Sequence, residues 1–334
     1  MNDDKIMVSI CCLAYNHEKY IRKALEGFIN QKTTFKYEIL IHDDASTDKT
    51  ADIIKEYEEK YPDLVKPIYQ SQNQYSRKVK ITWTYQYPRV RGKYIALCEG
   101  DDFWIDENKL QKQFDCLEKY DNCSFSTHTV KILDGDSENE LGEYPNQNWN
   151  ISAGVIKKAD FVRMLFGEHP YPFQTSCYFF RSKYIEEITK KTPEFIEKAD
   201  VGDYPLMRFL ASKGDVYYIP DLMSYYRFRV PGSWSHKRIF GNDKEIAHIK
   251  CNISTSRMYN EYTNFTYNDL IKKHISELSI QLLLFEKNYK ELCKHRYCKW
   301  RKRQLGFKER AYIMCVGRMP WIQRILEKAK FTRL

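Results

Sequence analysis

The chain opens with an unbroken apolar run, Met7-Val8-Ser9-Ile10-Cys11-Cys12-Leu13. A run without alternation predicts a strand buried on both faces. Lys19 to Asn30 then changes to helical spacing, with Tyr20, Ile21, Ala24, Leu25 and Phe28 on one stripe. Tyr37-Glu38-Ile39-Leu40-Ile41-His42 predicts a second strand. The segment Asp43-Asp44-Ala45-Ser46-Thr47-Asp48 is dense in capping residues, and Ala51, Ile54 and Tyr57 predict a helix behind it, followed by Pro62. Val65 to Tyr69 is a third strand and Tyr94 to Cys98 a fourth, which runs into Glu99-Gly100-Asp101-Asp102 ahead of a helix over Leu110 to Lys119. Strands alternating with helices predict an α/β fold of right-handed βαβ units around a mostly parallel sheet flanked by helices. Ligands of such sheets bind beyond the carboxyl ends of the strands.

Farther along, the order is less regular. Polar residues 134–150 predict a long surface loop. A helix over Lys158–Phe166, a strand over Cys177–Phe180, a helix over Asp203–Ser212 and a strand over Val216–Ile219 are expected. From about Gly241 the helical period dominates, through Ile271, Ile275, Leu278, Leu282 and Leu283. The expected division is a domain over 1–240, with a ligand-binding half to 130 and a second half over 131–240, then a helical region over 241–334. No internal repeat and no Walker-type glycine loop is present.

Hydrophobic residues make up 43% of the 334 and charged residues 30%, an ordinary globular balance. No run approaches the ~18 apolar residues of a membrane-spanning helix. The start, Met1-Asn2-Asp3-Asp4-Lys5, is acidic and lacks an apolar core, so no secretory signal is expected. Ten scattered cysteines, Cys11 and Cys12 adjacent, suit reduced thiols in the cytoplasm rather than a disulfide framework. The net charge of +9 is unevenly placed: residues 241–334 hold 20 basic and 9 acidic side chains, residues 1–240 hold 34 and 36. The basic character therefore belongs to the C-terminal region.

Two acidic clusters fall where the sheet puts a ligand: Asp43-Asp44 after the second strand, and Glu99-Gly100-Asp101-Asp102 after the fourth. An isolated Asp pair is ordinarily a turn or a helix cap. Two pairs on matching strand ends point instead to a shared cation or to strong hydrogen bonds, because crowded carboxylates repel. A hard divalent ion takes one or two such carboxylates together with phosphate oxygens.

Three segments, Val8 to Asn16, Ile41 to Thr50 and Gly92 to Trp104, come in an order and spacing that resembles family 2 glycosyltransferases of the GT-A fold, of the type found with bacterial capsular and surface polysaccharides. The resemblance spans about 130 residues and continues more weakly to about 240. It implies a Rossmann-like half that binds a nucleotide-sugar, with Asp43 and Asp44 on base and ribose and Ala14 and Tyr15 lining the pocket. Asp101, with Asp102 beside it, would bind Mn²⁺ or Mg²⁺. Glu99 stands where the family's D-x-D begins with Asp, a departure that bears on the ribose contact or the metal geometry. Arg77 or Lys78 would approach the diphosphate, against their reading as solvated loop charges.

Transfer to a hydroxyl needs a base for the acceptor proton. Asp203, in Gly202-Asp203-Tyr204-Pro205-Leu206, matches the place of the family's catalytic carboxylate, with Gly202 where Glu is usual. Its competing reading is a helix cap, and Asp200 is the rival base. Tyr225 to Ser235 resembles the family's Tyr-Arg-x-His segment, with Arg229 in the histidine's place. Arg229 would pair with phosphate oxygens, while His236 reads as a surface residue. Trp234 is a candidate for stacking on an acceptor sugar, and Gln174-Thr175-Ser176-Cys177 for hydrogen-bonding it.

Residues 290–334 carry 14 basic and 3 acidic side chains, with Trp321, Ile322, Ile325 and Leu326 near the end. This mixture suits either peripheral contact with anionic lipid on the inner membrane face or a solvated helical bundle. It fits an acceptor glycan on a lipid carrier. Nucleic acid is not expected, because no binding module accompanies the charge. Cys293, His295 and Cys298 are too few for a closed zinc site. The alternatives are a non-catalytic nucleotide-sugar scaffold and a nucleotidyltransferase. Ala14-Tyr15-Asn16-His17 argues against the latter, which ordinarily has a glycine-rich basic loop there.

Overall fold

The computed structural model describes residues 5–135, 137–167, 173–233, 236 and 242–319. The chain divides into two compact units, Met1–His236 and Lys237–Leu334.

The first unit is built on one ten-stranded sheet. Strands β1 (Ile6–Ala14), β2 (Lys36–Asp43), β3 (Val65–Tyr69), β4 (Tyr94–Leu97), β5 (Phe103–Trp104), β6 (Cys123–Asp134), β7 (Glu140–Tyr144), β8 (Gly154–Ile156), β9 (Phe179–Arg181) and β10 (Asp215–Phe228) take the order β3-β2-β1-β4-β9-β6-β10-β5, with β7 on β6 and β8 on β10. β1, β2, β3, β4, β6 and β10 run in one direction, and β5, β7, β8 and β9 run against them. Helices α1 (Ile21–Ile29), α2 (Thr50–Lys60), α3 (Lys109–Lys119), α4 (Lys158–Phe166), α5 (Lys183–Lys190), α6 (Glu194–Glu197) and α7 (Asp203–Lys213) connect them. The apolar run of β1 is buried as its pattern requires: Val8, Ile10 and Cys12 join Ile39 and Ile41 of β2, Ile21, Leu25 and Phe28 of α1, and Leu110 and Leu117 of α3 in one core.

Two parts of this unit differ from the sequence expectation. Residues 134–150 are not one loop: β7 returns antiparallel along the end of β6, and a 3₁₀ turn follows at Gln147–Trp149. Gly135, just after β6, lets the chain pass close to the end of β10, since a Cβ there would lie 2.5 Å from the Val230 backbone nitrogen. The twelve-residue β6 was hidden by its polar composition, Ser124-Phe125-Ser126-Thr127-His128-Thr129, yet all but its last few residues are buried. Several of its polar groups are paired internally: Thr127 Oγ1 lies 2.8 Å from Cys177 Sγ, and Thr129 Oγ1 lies 2.7 Å from the Tyr218 hydroxyl.

The second unit is helical as its spacing predicts, with α8 (Asn242–Tyr262), α9 (Asn268–Phe285), α10 (Tyr289–Leu292), α11 (Cys298–Gln304) and α12 (Phe307–Arg318). Leu278, with Ile275 and Leu282, packs on Ile249 and Ile253 of α8. Ile280 joins Tyr289, Leu292, Ile313 and Val316. Trp321, Ile322, Ile325 and Leu326 lie outside the described residues. Among the described residues none of the ten cysteines forms a disulfide. Among the described residues no helix is long and apolar enough to cross a membrane.

Candidate functional site

Three strand ends meet at one edge of the sheet. Parallel pairing sets Ala14 opposite Asp43, and the Asp44 N–H donates to the Ala14 carbonyl at 2.9 Å. Beyond β4, the Cys98 and Gly100 N–H groups donate to the Cys11 and Leu13 carbonyls at 3.2 and 2.8 Å, which carries Glu99 to Asp102 alongside β1. The loops after β1 and β2 are latched together. Asn16 Oδ1 accepts the Thr47 N–H at 2.8 Å, Ser46 Oγ accepts that of Asn16 at 2.9 Å, Thr50 Oγ1 that of His17 at 2.7 Å, and Asp48 Oδ2 that of Glu18 at 3.0 Å. Asn16 and Ala45, with φ of 56° and 60°, are held in the left-handed region. Such strain persists only where the surroundings over-determine it.

The two aspartates after β2 have different tasks. Asp43 Oδ2 accepts the Ser46 N–H at 3.2 Å, while its buried Oδ1 has no hydrogen-bond partner among the described residues. Burial pushes this carboxyl above its ordinary range. Asp44, expected at the nucleotide, engages main chain in this structure: Oδ1 and Oδ2 accept the backbone N–H groups of Gln74 and Tyr75 at 2.7 and 3.0 Å. Its carboxylate fixes the 73–76 loop, since both oxygens are engaged by main chain. Arg77 and Lys78 at the end of that loop are exposed. Ala14 is buried, and Tyr15 is 42% exposed at the rim.

Gly100 is required for close packing rather than for a sharp turn. A Cβ there would meet His17 Nδ1 at 2.9 Å and the Leu13 carbonyl at 3.1 Å. His17, which the sequence did not single out, places Nε2 3.9 Å from Asp101 Oδ2, and its buried Nδ1 is unpartnered among the described residues. Glu99 is half-buried, and burial, then Asp101, then Asp203, push its carboxyl up to about 8. Asp203 therefore lies within electrostatic reach of the strand-end cluster, although it starts α7 far along the chain. Its carboxylate accepts the Tyr204 N–H at 2.8 Å. Asp200 is exposed.

Asp102, expected beside the metal, is 2% exposed, and its Oδ1 accepts the Arg227 N–H at 2.9 Å. Burial and then Asp101 raise its carboxyl well above the usual range. The hydrogen bond and burial make it an anchor for β10. Arg227, also missed, donates from Nη1 to the Asp101 carbonyl at 2.6 Å and from Nη2 to Glu138 at 2.9 Å. No sequence spacing links positions so far apart. Arg229, with φ of 65°, places Nη2 3.6 Å from Asp134 and is 40% exposed. His236 N–H donates to Ser233 Oγ at 3.2 Å, and Trp234 lies outside the described residues. The expected acceptor contacts of Ser176 and Cys177 are corrected: both are fully buried, Ser176 Oγ 3.0 Å from Ser224 Oγ and Cys177 bonded to Thr127.

Among the described residues no three His, Cys, Asp or Glu side chains converge as a closed metal cage. Asp101 still suits a hard cation completed by phosphate oxygens. Its carboxylate is partly exposed, with His17 Nε2 3.9 Å from Oδ2.

Comparison with known proteins bears on the family and the fold. Residues 9–188 match the family described as Glycosyl transferase family 2. An uncharacterized protein of Mycobacterium tuberculosis is 32% identical over 68% of this chain and 60% of its own length. The minor teichoic acid biosynthesis protein GgaB of Bacillus subtilis is 24% identical over 82% of this chain and 28% of its own. This chain thus spans about 60% of the length of the mycobacterial relative. Residues 1–349 of S. aureus TarS, solved in complex with UDP, superpose with a TM-score of 0.54 at 14% identity, over 86% of this chain and 92% of that one. The fold is the expected GT-A arrangement, and the chain belongs to glycosyl transferase family 2.

Proposed function

We propose that the chain is a glycosyltransferase that moves a sugar from a nucleoside-diphosphate donor to a glycan hydroxyl with inversion. The observation that carries this reading is the shared reach of Asp101 and Asp203 on Glu99, which gathers carboxylates from two distant segments at the strand edge holding Asp43.

Asp43, with one buried oxygen unpartnered, accepts hydrogen bonds from the nucleoside, and Tyr15 closes the rim. Glu99 takes the ribose side of the pocket. Arg229 faces the phosphate oxygens with a planar pair of donors. Asp101 would hold Mn²⁺ or Mg²⁺ together with the donor phosphates, and the bound ion would offset charge on the departing diphosphate. Asp102 keeps Asp101 in place through β10. Asp203 takes the acceptor proton as the hydroxyl oxygen bonds the anomeric carbon and the bond to the diphosphate oxygen breaks. At the first turn of α7 its anionic form is favoured by the helix dipole.

The name of GgaB, a minor teichoic acid biosynthesis protein, supports a surface glycopolymer as the acceptor, and a lipid carrier at the inner membrane face would suit the basic C-terminal segment. The basic segment 290–334 is the candidate membrane contact. Thermal shift with UDP- and GDP-sugars in the presence of Mn²⁺ identifies the donor, since a ligand bound to the folded state raises its stability. Release of nucleoside diphosphate only when donor and acceptor are mixed establishes transfer. Donor binding with no release would mark a scaffold.

A further inference from the structure

The second unit contains a cavity of about 620 Å³ between α9 and the turn leading into α11. Four cations line it: Lys273 from α9, Arg296 ahead of α11, and Lys299 and Arg303 one turn apart on α11. Glu277 is the one carboxylate on its wall. Arg296 is paired with Glu291, whereas Lys273, Lys299 and Arg303 have no ion pair among the described residues. Like charges gathered on one wall repel, and a helix surface without a ligand gains nothing by converging them.

The cavity has a fixed base. Trp300 packs on the cluster of Ile280, Leu292, Ile313 and Val316, and Ile280 and Trp300 also line the cavity. Buried Arg301 donates to the carbonyls of Leu292 and Lys294, the latter at 3.0 Å, which locks the turn that presents Arg296. A rigid aromatic wall beside several unpaired cations is the lining that a phosphate ester with an attached apolar or ring-bearing group requires.

We infer that this cavity is an anion site, separate from the sheet edge, that binds a phosphate group carried on a saccharide or on a lipid headgroup. Lys299 and Arg303 contact the phosphate, and Trp300 packs against the group it bears. The inference rests on the second unit alone and does not depend on the proposed transfer reaction.

Calorimetry on the full chain with glucose 1-phosphate, against glucose as the uncharged control, tests the saccharide source. Flotation with phosphatidylglycerol vesicles, against phosphatidylcholine vesicles, tests the lipid source. Lys299→Glu/Arg303→Glu should weaken whichever probe binds at least tenfold. Lys244→Glu/Arg257→Glu, on exposed positions of α8, which changes the charge of the unit equally but away from the cavity, should leave binding within twofold. Asp43→Ala should also leave it unchanged, which separates this site from the nucleotide pocket. Far-ultraviolet circular dichroism shows that each variant is folded. The inference is overturned if neither probe binds, or if the cavity variant binds as tightly as the wild type.

Discussion

The backbone N–H of Arg227 donates to Asp102 Oδ1 at 2.9 Å while its guanidinium donates to the Asp101 carbonyl at 2.6 Å. One residue of β10 thus grips both members of the acidic pair after β4. The guanidinium also lies over the Phe103 and Tyr20 rings, at 4.6 and 4.9 Å, and reaches Glu138. Removing the guanidinium deprives the Asp101 carbonyl and Glu138 of their donors, while the backbone bond to Asp102 stays. Arg227→Met should destabilise the unit by about 1–3 kcal/mol, because a part-buried acceptor loses its hydrogen bond. Urea unfolding checks this, and a loss below about 1 kcal/mol would mean that the clamp is not needed.

Asp43 and Asp44 are adjacent but should fail differently. Asp44→Ala releases the Gln74 and Tyr75 N–H groups and should cost about 1–3 kcal/mol, with faster amide exchange at both positions. Asp43→Ala should leave stability within about 1 kcal/mol and weaken nucleotide-sugar binding at least tenfold, as calorimetry would show. Equal effects on binding from both variants would return Asp44 to the nucleotide.

Asp101→Ala should weaken donor binding in Mn²⁺ and make it insensitive to chelator, whereas the wild type should lose affinity when EDTA is added. Titration of the donor with and without EDTA provides the comparison. Chelator sensitivity unchanged by the substitution would place the cation elsewhere.

Lys109 is fully buried, donates to Gln113 Oε1 at 2.6 Å and sits 3.9 Å from the Trp104 ring centre. Burial pulls its ammonium down to about 7. The unfolded chain keeps that proton to about pH 10.4. Between about pH 7 and 10 the unfolded state therefore binds more protons, so this group adds stability as pH rises and withdraws it as pH falls toward 7. The slope is at most about 1.4 kcal/mol per pH unit. In Lys109→Met it should vanish, so wild-type minus variant unfolding free energy should climb across that window. A flat difference would contradict the burial of a neutral amine.

Much of this was legible in the chain because the relevant physics is local. The apolar runs of β1, β2 and β4 and the stripe of α1 report burial directly, and the carboxylates follow their strands in sequence. β6 was illegible because polar side chains such as Thr127 and Thr129 are satisfied by partners, Cys177 and Tyr218, that only the fold brings near. The same holds for Arg227, whose partners lie in the segment after β4 and the turn after β6, and for Asp44, whose acceptor role depends on a loop some thirty residues later. His17 had no periodic or charge signal. Its place is set by contact with Gly100 and Asp101.

Asp203 stands at the centre of the proposed chemistry, and single-turnover transfer by Asp203→Asn at saturating donor tests it most directly. The amide keeps the shape and the start of α7 but cannot take the acceptor proton. Transfer should fall by about 100-fold or more while donor affinity stays within twofold. Wild-type transfer by the variant would remove Asp203 as the base.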